Sequence, residues 1–137
     1  MVWRYITEKL AAAGFAITII FCYLLVIKSF NLSEFSEVAH TWTLWAVTFG
    51  YGIGITSIID GITEKWAAFT RYKNAGYILA GALFFLPFGI SVYTIIVGVT
   101  GALIAGIFLA GQTMAKNSKL FTSAFIIIPL LVLLLIQ

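Results

Sequence analysis

Long uncharged stretches alternate with short polar ones along this chain, and their lengths predict its elements. Leu10 to Ile27 is an apolar run of about 18 residues closed by Lys28, close to what a helix needs to cross a hydrocarbon core of roughly 30 Å. After a turn, Asn31 opens N-L-S-E, a helix N-cap with Glu34 three positions on, which predicts a capping box. Glu34 and Glu37 also suit the positive end of that helix. Leu32, Phe35, Ala39, Trp42 and Ala46 then recur at three- and four-residue steps, so one helix is expected from about Leu32 to Asp60. Trp42 and Trp45 would sit at the interface, with Leu44 to Ile59 in the membrane. GITEKWAAFTRYK, Gly61 to Lys73, is too polar to span. Its Trp66, Phe69 and Tyr72 suit either a segment lying at the headgroups or a loop with aromatic anchors. Leu120 to Ile136, about 17 residues around Pro129, reads as a final span, because membrane helices tolerate proline.

The stretch between Ala75 and Gly111 carries no charge. As one helix it would be roughly 55 Å long, nearly twice the core thickness and beyond what tilt absorbs. It must therefore double back. Pro87 and Gly89 weaken a helix, and Ser91, Tyr93 and Thr94 can satisfy exposed backbone at a turn there. A break at Gly98 to Gly101 is the alternative, with Pro87 then only a kink. Spans are expected at about 10–28, 42–60, 73–89, 92–112 and 120–136.

The basic residues test this count. With five spans and the N-terminus inside, Arg4, Lys9, Lys65, Arg71, Lys73, Lys116 and Lys119 fall on the cytoplasmic side, and only Lys28 falls outside. A single pass through the Ala75–Gly111 stretch would move Lys116 and Lys119 outside and weaken the bias that orients membrane proteins. The reading is an all-α integral membrane protein, one domain over 1–137. It forms a compact bundle of about five transmembrane helices, with its N-terminus cytoplasmic and its C-terminus outside.

Composition agrees. Hydrophobic residues make up 62% and charged residues 9%, against about 25% charged in a soluble domain, too few to cover a surface in water. The sequence contains one cysteine, Cys22, which excludes an internal disulfide and a cysteine metal cage. It lies inside an apolar run and behaves there as a small hydrophobe. No A-x-A-like site follows the first run, so that span is expected to stay uncleaved. With no organelle signal in the sequence, the expected location is the cell membrane, by default the bacterial plasma membrane.

The side chains that could carry chemistry are few. Gly98, Ala102, Gly106 and Ala110 lie four residues apart on one face of the fourth span, and Gly50 and Gly54 repeat the spacing on the second. Such stripes let helices approach closely, within the chain or between copies of it. Asp60 is the one acid close to a span interior, which makes it the candidate for ion or substrate binding. The plainer expectation is a headgroup-level carboxylate that pairs with Lys65 or caps the next turn. His40 stands alone beside Trp42 and makes no metal site by itself. Asn31-Leu32-Ser33 matches the glycosylation sequon. Gln112 and Thr113 are expected to end the fourth helix. No nucleophile–His pair, intramembrane acid pair, H-E-x-x-H or phosphate-binding glycine loop occurs, so neither catalytic residues nor a cofactor or metal is expected. GYGIGI, Gly50 to Ile55, is followed by no phosphate-binding lysine. The basic residues are too few and dispersed for nucleic acid, and no inverted repeat of the transporter kind is visible.

Two functions follow. The first is a small non-enzymatic accessory or assembly subunit, working through contacts with the lipid bilayer and with a membrane-protein partner or further copies of itself. The second is a small oligomeric transporter or channel with Asp60 near its inner mouth, for which Thr18, Thr48, Thr56, Ser57 and Thr100 are the available polar lining.

Overall fold

The computed structural model describes residues 2–86 and 89–136. Among these the chain is all-α, with no strand. Its elements are α1 (Val2–Ile27), α2 (Leu32–Ala39), α3 (Trp42–Lys65), a 3-10 segment (Ala67–Tyr72), α4 (Lys73–Leu83), α5 (Val92–Asn117) and α6 (Lys119–Leu135). Three of them, α1, α3 and α5, are long and apolar enough to cross a membrane; α6 is apolar but shorter, at 17 residues.

The stretch expected to double back forms two helices. Residue 87, where the turn was placed, lies outside the described residues. α4 ends at Leu83, so the helix in the third expected span has 11 residues. A proline at 87 supplies no N–H for the carbonyl of Leu83, which suits an end there. α5 restarts under a capping box in which Ser91 and Thr94 exchange side-chain and backbone hydrogen bonds. The Gly98–Gly101 alternative is excluded, because both residues lie inside α5.

The single helix expected from Leu32 to Asp60 is instead two. Thr41 adopts extended backbone between α2 and α3, and the Trp45 indole N–H donates to the Ala39 carbonyl at 2.8 Å, folding one helix end over the other. α3 then widens into a π-helical turn, Ala46–Tyr51, and continues five residues past Asp60. The capping box at Asn31 is half made. Its side chain accepts from the Ser33 N–H, while Glu34 takes the Lys28 ammonium at 2.9 Å. The α1–α2 turn places Ser29 and Phe30 in the left-handed region (φ 49° and 60°), with the Phe30 N–H on the Leu25 carbonyl.

Contacts give the helix directions. Tyr5 meets Ser57 and Asp60, and Phe21 meets Trp45, so α1 and α3 are antiparallel. Tyr51 bonds Ala80 while Asp60 takes Tyr77, so α4 turns back along α3. Arg4 reaches the Lys116 carbonyl, which sets α5 antiparallel to α1. α6 returns parallel to α1, and its last turn accepts a bond from Ser36 of α2 at the Ile136 carbonyl.

Helix α1 is the hub. Ala11, Ala12, Ala13 and Ala16 are fully buried, with Phe108 of α5 packed on Ala12, Ala13 and Ala16. Farther along α1, Ile17 and Phe21 cluster with Phe35 and Ala39 of α2 and with Val132 and Leu133 of α6. Lipid offers helices no hydrophobic reason to associate, so small residues that let backbones approach closely must supply the contact. Gly111 lies against Phe15 and Ala12, and Gly81 against Gly101 and Ala105. At Gly14 the fit is specific. Pro129 removes the N–H that the Phe125 carbonyl would normally receive. Gly14, without a side chain, sits directly against that carbonyl. A neighbouring helix thus covers the backbone group the proline exposes.

Gly14→Val should therefore destabilise the purified protein by about 1–3 kcal/mol or more, because the obstructing atom is backbone and cannot move aside. Gly106→Ala, with no atom within 4 Å of the added Cβ, should stay within about 0.5 kcal/mol of the parent. Thermal unfolding of both variants in detergent, followed by near-UV circular dichroism, checks the pair.

Candidate functional site

Four helices bring polar side chains together at the end of the bundle where α1 begins and α3 ends. Asp60, on the inner face of α3, is 4% exposed. Its Oδ1 lies 2.6 Å from Lys73 Nζ and accepts from the Tyr77 hydroxyl. Its Oδ2 lies 2.8 Å from Lys9 Nζ and accepts from the Tyr5 hydroxyl at 2.7 Å. Each carboxylate oxygen thus receives one ammonium and one phenol. Lys9, 1% exposed, is the largest fully buried side chain among the described residues. It also donates to Tyr77 and to Gln112 Oε1 at 3.4 Å, and its ammonium lies 5.4 and 5.1 Å from the Tyr5 and Tyr77 ring centroids. A buried ammonium is tolerable only when its donors are used and its charge is matched. Here both conditions hold. At the rim Arg4 pairs with Glu8 at 3.0 Å.

Local sequence explains the convergence. Tyr5 and Lys9 are four apart and share one face of α1, and Lys73 and Tyr77 do the same on α4. Ser57 and Asp60 share the facing side of α3, with Ser57 Oγ 3.4 Å from the Tyr5 hydroxyl. The pairing of Asp60 with Lys65 expected from proximity is not the one made. Its cations come from α1 and α4, and Lys65 is exposed. Gln112 lies inside α5, which runs on to Asn117, and is a buried partner of Lys9 rather than a helix terminator. Sequence reading missed Tyr5, Lys9, Lys73, Tyr77 and Gln112 as members of the site. The signal available was the Tyr–Lys spacing of four, present once in each order.

The small residues divide. Gly98 faces the Ala82 carbonyl across the α4–α5 contact, whereas Gly50, Gly54 and Gly106 face open space, with no atom within 4 Å of where a Cβ would lie. Gly98, Ala102, Gly106 and Ala110 line one wall of an open outer groove of about 800 Å³ between α4 and α5. Gly81, Gly101 and Ala105, outside the stripe, make the closest α4–α5 approach. His40, exposed, bonds the Ser36 carbonyl at 2.8 Å through Nδ1, and Cys22 is exposed on α1. Among the described residues no three His, Cys, Asp or Glu side chains group as a metal site requires.

Beyond the cluster, towards the opposite end, the interior becomes apolar. A cavity of about 150 Å³ lies between α3, α4 and α5, with Tyr77 at one end of its lining. Four threonines turn their hydroxyls back on their own helices. Thr18 donates to Gly14, Thr48 to Leu44, Thr56 to Gly52 and Thr100 to Ile96, at 2.7–3.1 Å. Among the described residues no buried side-chain nitrogen or oxygen lacks a hydrogen-bond partner. No family model, curated protein or solved structure matches the chain.

The cluster should be a stability element. Asp60→Asn leaves Lys9 buried without its counter-charge and should cost about 3–5 kcal/mol, whereas the double variant Asp60→Leu/Lys9→Met, which removes both buried charges, should recover much of that loss. Thermal unfolding in detergent reads both. Parent-like stability of Asp60→Asn would remove this role.

Proposed function

We propose that this chain is a five-pass protein of the cell membrane, cytoplasmic at its N-terminus and external at its C-terminus, acting as a non-enzymatic accessory or assembly subunit through helix and lipid contacts. In this reading α4 and the turn beyond it make the third pass, and α6 the fifth. The alternating helix directions support it, as does the gathering of Arg4, Lys9, Lys65, Lys73, Lys116 and Lys119 at one end of the bundle. Cysteines introduced singly at Trp3 and Leu135, in a Cys22→Ala background, should react with a membrane-impermeant maleimide from opposite faces of sealed vesicles. Labelling from the same face would contradict the topology.

One observation carries the functional reading: most of the polar groups that a conduction route would use are already committed. A transport path needs hydratable groups near mid-membrane. Thr18, Thr48, Thr56 and Thr100 donate to carbonyls of their own helices, and Asp60 is matched by two lysines and two tyrosines. The contact surface in this reading is the outer α4–α5 groove, whose small residues leave room for a partner helix. The competing reading, an oligomeric transporter with Asp60 at its inner mouth, rests on that carboxylate being buried.

Liposomes containing the purified protein should show no ion or proton flux above empty vesicles, and the protein should co-purify from native membranes with a fixed partner or further copies of itself. Flux abolished by Asp60→Asn, in a variant shown to remain folded, would favour transport instead.

A further inference from the structure

We infer that the slot between α3, α4 and α5 is a binding site for a single acyl chain of a membrane lipid. The inference deepens the lipid-contact part of the function proposed above and rests on the membrane-spanning reading. Shape is the first argument. The lining runs from Leu44 to Thr56 on α3 and from Val97 to Phe108 on α5, roughly 16–18 Å along the helices. A volume of about 150 Å³ spread over that length makes a narrow tube, suited to a chain and not to a compact ring system.

Lining chemistry is the second argument. Ile20, Ile55, Phe84, Phe85, Ile104 and Phe108 present only hydrocarbon. The hydroxyls among them offer no free donor: Thr48, Thr56 and Thr100 donate to carbonyls of their own helices, and Tyr51 donates to the Ala80 carbonyl at 2.7 Å. Buried water needs two to four polar partners, and an apolar cavity without them stays dry or takes an apolar guest. The occupant is therefore hydrocarbon.

Access is the third argument. Val47, 38% exposed, and Thr100, also exposed, bring the lining to the outer surface of the bundle about one to two turns from the starts of α3 and α5. Val47, Thr48 and Tyr51 all belong to the π-helical turn, whose extra residue widens α3 where the slot opens. At the far end Tyr77 closes the slot with its hydroxyl turned to Asp60, so the end meeting the chain is the ring. The chain enters methyl end first, and its headgroup stays at the end of the bundle where α3 starts.

The test uses the full chain, reconstituted in phosphatidylcholine–phosphatidylglycerol vesicles doped with a phospholipid bearing a diazirine near the methyl end of one acyl chain. After illumination, adducts are mapped by peptide mass spectrometry. Adducts on Tyr51, Thr56 and Phe84 are expected about tenfold in excess of those on the outward-facing Leu103 and Leu134, one factor of ten corresponding to ~1.4 kcal/mol. The slot-filling variants Val97→Phe and Ile104→Phe, made separately, should lower the interior adducts and leave those on Leu134 unchanged. Interior adducts no more frequent than surface ones, or undiminished in both variants, would overturn the inference alone. Loss of the protein from vesicles on alkaline carbonate washing would overturn the spanning reading, and the acyl-chain site with it.

Discussion

One carboxylate holds the end of this bundle together. Asp60 is contacted by α1 through Tyr5 and Lys9 and by α4 through Lys73 and Tyr77, while Lys9 reaches on to α5 through Gln112. In a medium of low dielectric an unmatched charge is far more costly than in water. None of these helices can leave without exposing a charge or a donor to hydrocarbon or to an apolar interior. The arrangement is a constraint more than an attraction. Desolvating the ions offsets much of what their pairing contributes, and what remains is a strong preference for one mutual position of four helices. The alanine face of α1 makes that position reachable, because Ala12, Ala13 and Ala16 let α5 close against α1 through Phe108.

The interior is consequently divided by chemistry along its length. One end is a saturated polar cluster, and the remainder is hydrocarbon, with threonines that satisfy themselves locally. Hydroxyls bonded to the carbonyl four residues back are compatible with an apolar environment, since they ask nothing of their neighbours. The division also explains why the small residues carry so much of the packing. Gly81 with Gly101, and Gly111 with Phe15, bring backbones together where water-driven burial does not operate.

The helices were legible because a hydrocarbon solvent demands long apolar runs, and the chain has little else. The doubling back after Ala75 followed from length alone. Asp60 stood out as a lone acid, but its partners did not. Lys9 and Lys73 lie 51 and 13 positions from it, and both served in the sequence reading only as markers of sidedness. Which turn of α1 faces α3 is decided by packing, and the spacing of four that pairs Tyr5 with Lys9 is common enough to carry no weight unless α4 is known to mirror it. The glycine stripe shows a similar limit. Period identifies a face, yet whether that face meets α4 or lies open depends on rotation about the helix axis, and only Gly98 of the stripe's glycines is at the contact. The break at Thr41 was invisible because apolar periodicity ran through it. The Trp45 indole, by bonding to Ala39, holds the two helices in register across the interruption.

The seat of Pro129 against Gly14 bears on the order in which the molecule assembles. α1 and α6 are far apart in sequence and run in the same direction, so no hairpin between sequence neighbours can form their contact. The notch at Gly14 is filled by α6 itself, which brings the Phe125 carbonyl to the glycine, so α1 lacks this partner until α6 has been made. Helix α6 therefore acts as a latch on α1, closing a side of the bundle that the cluster around Asp60 does not reach.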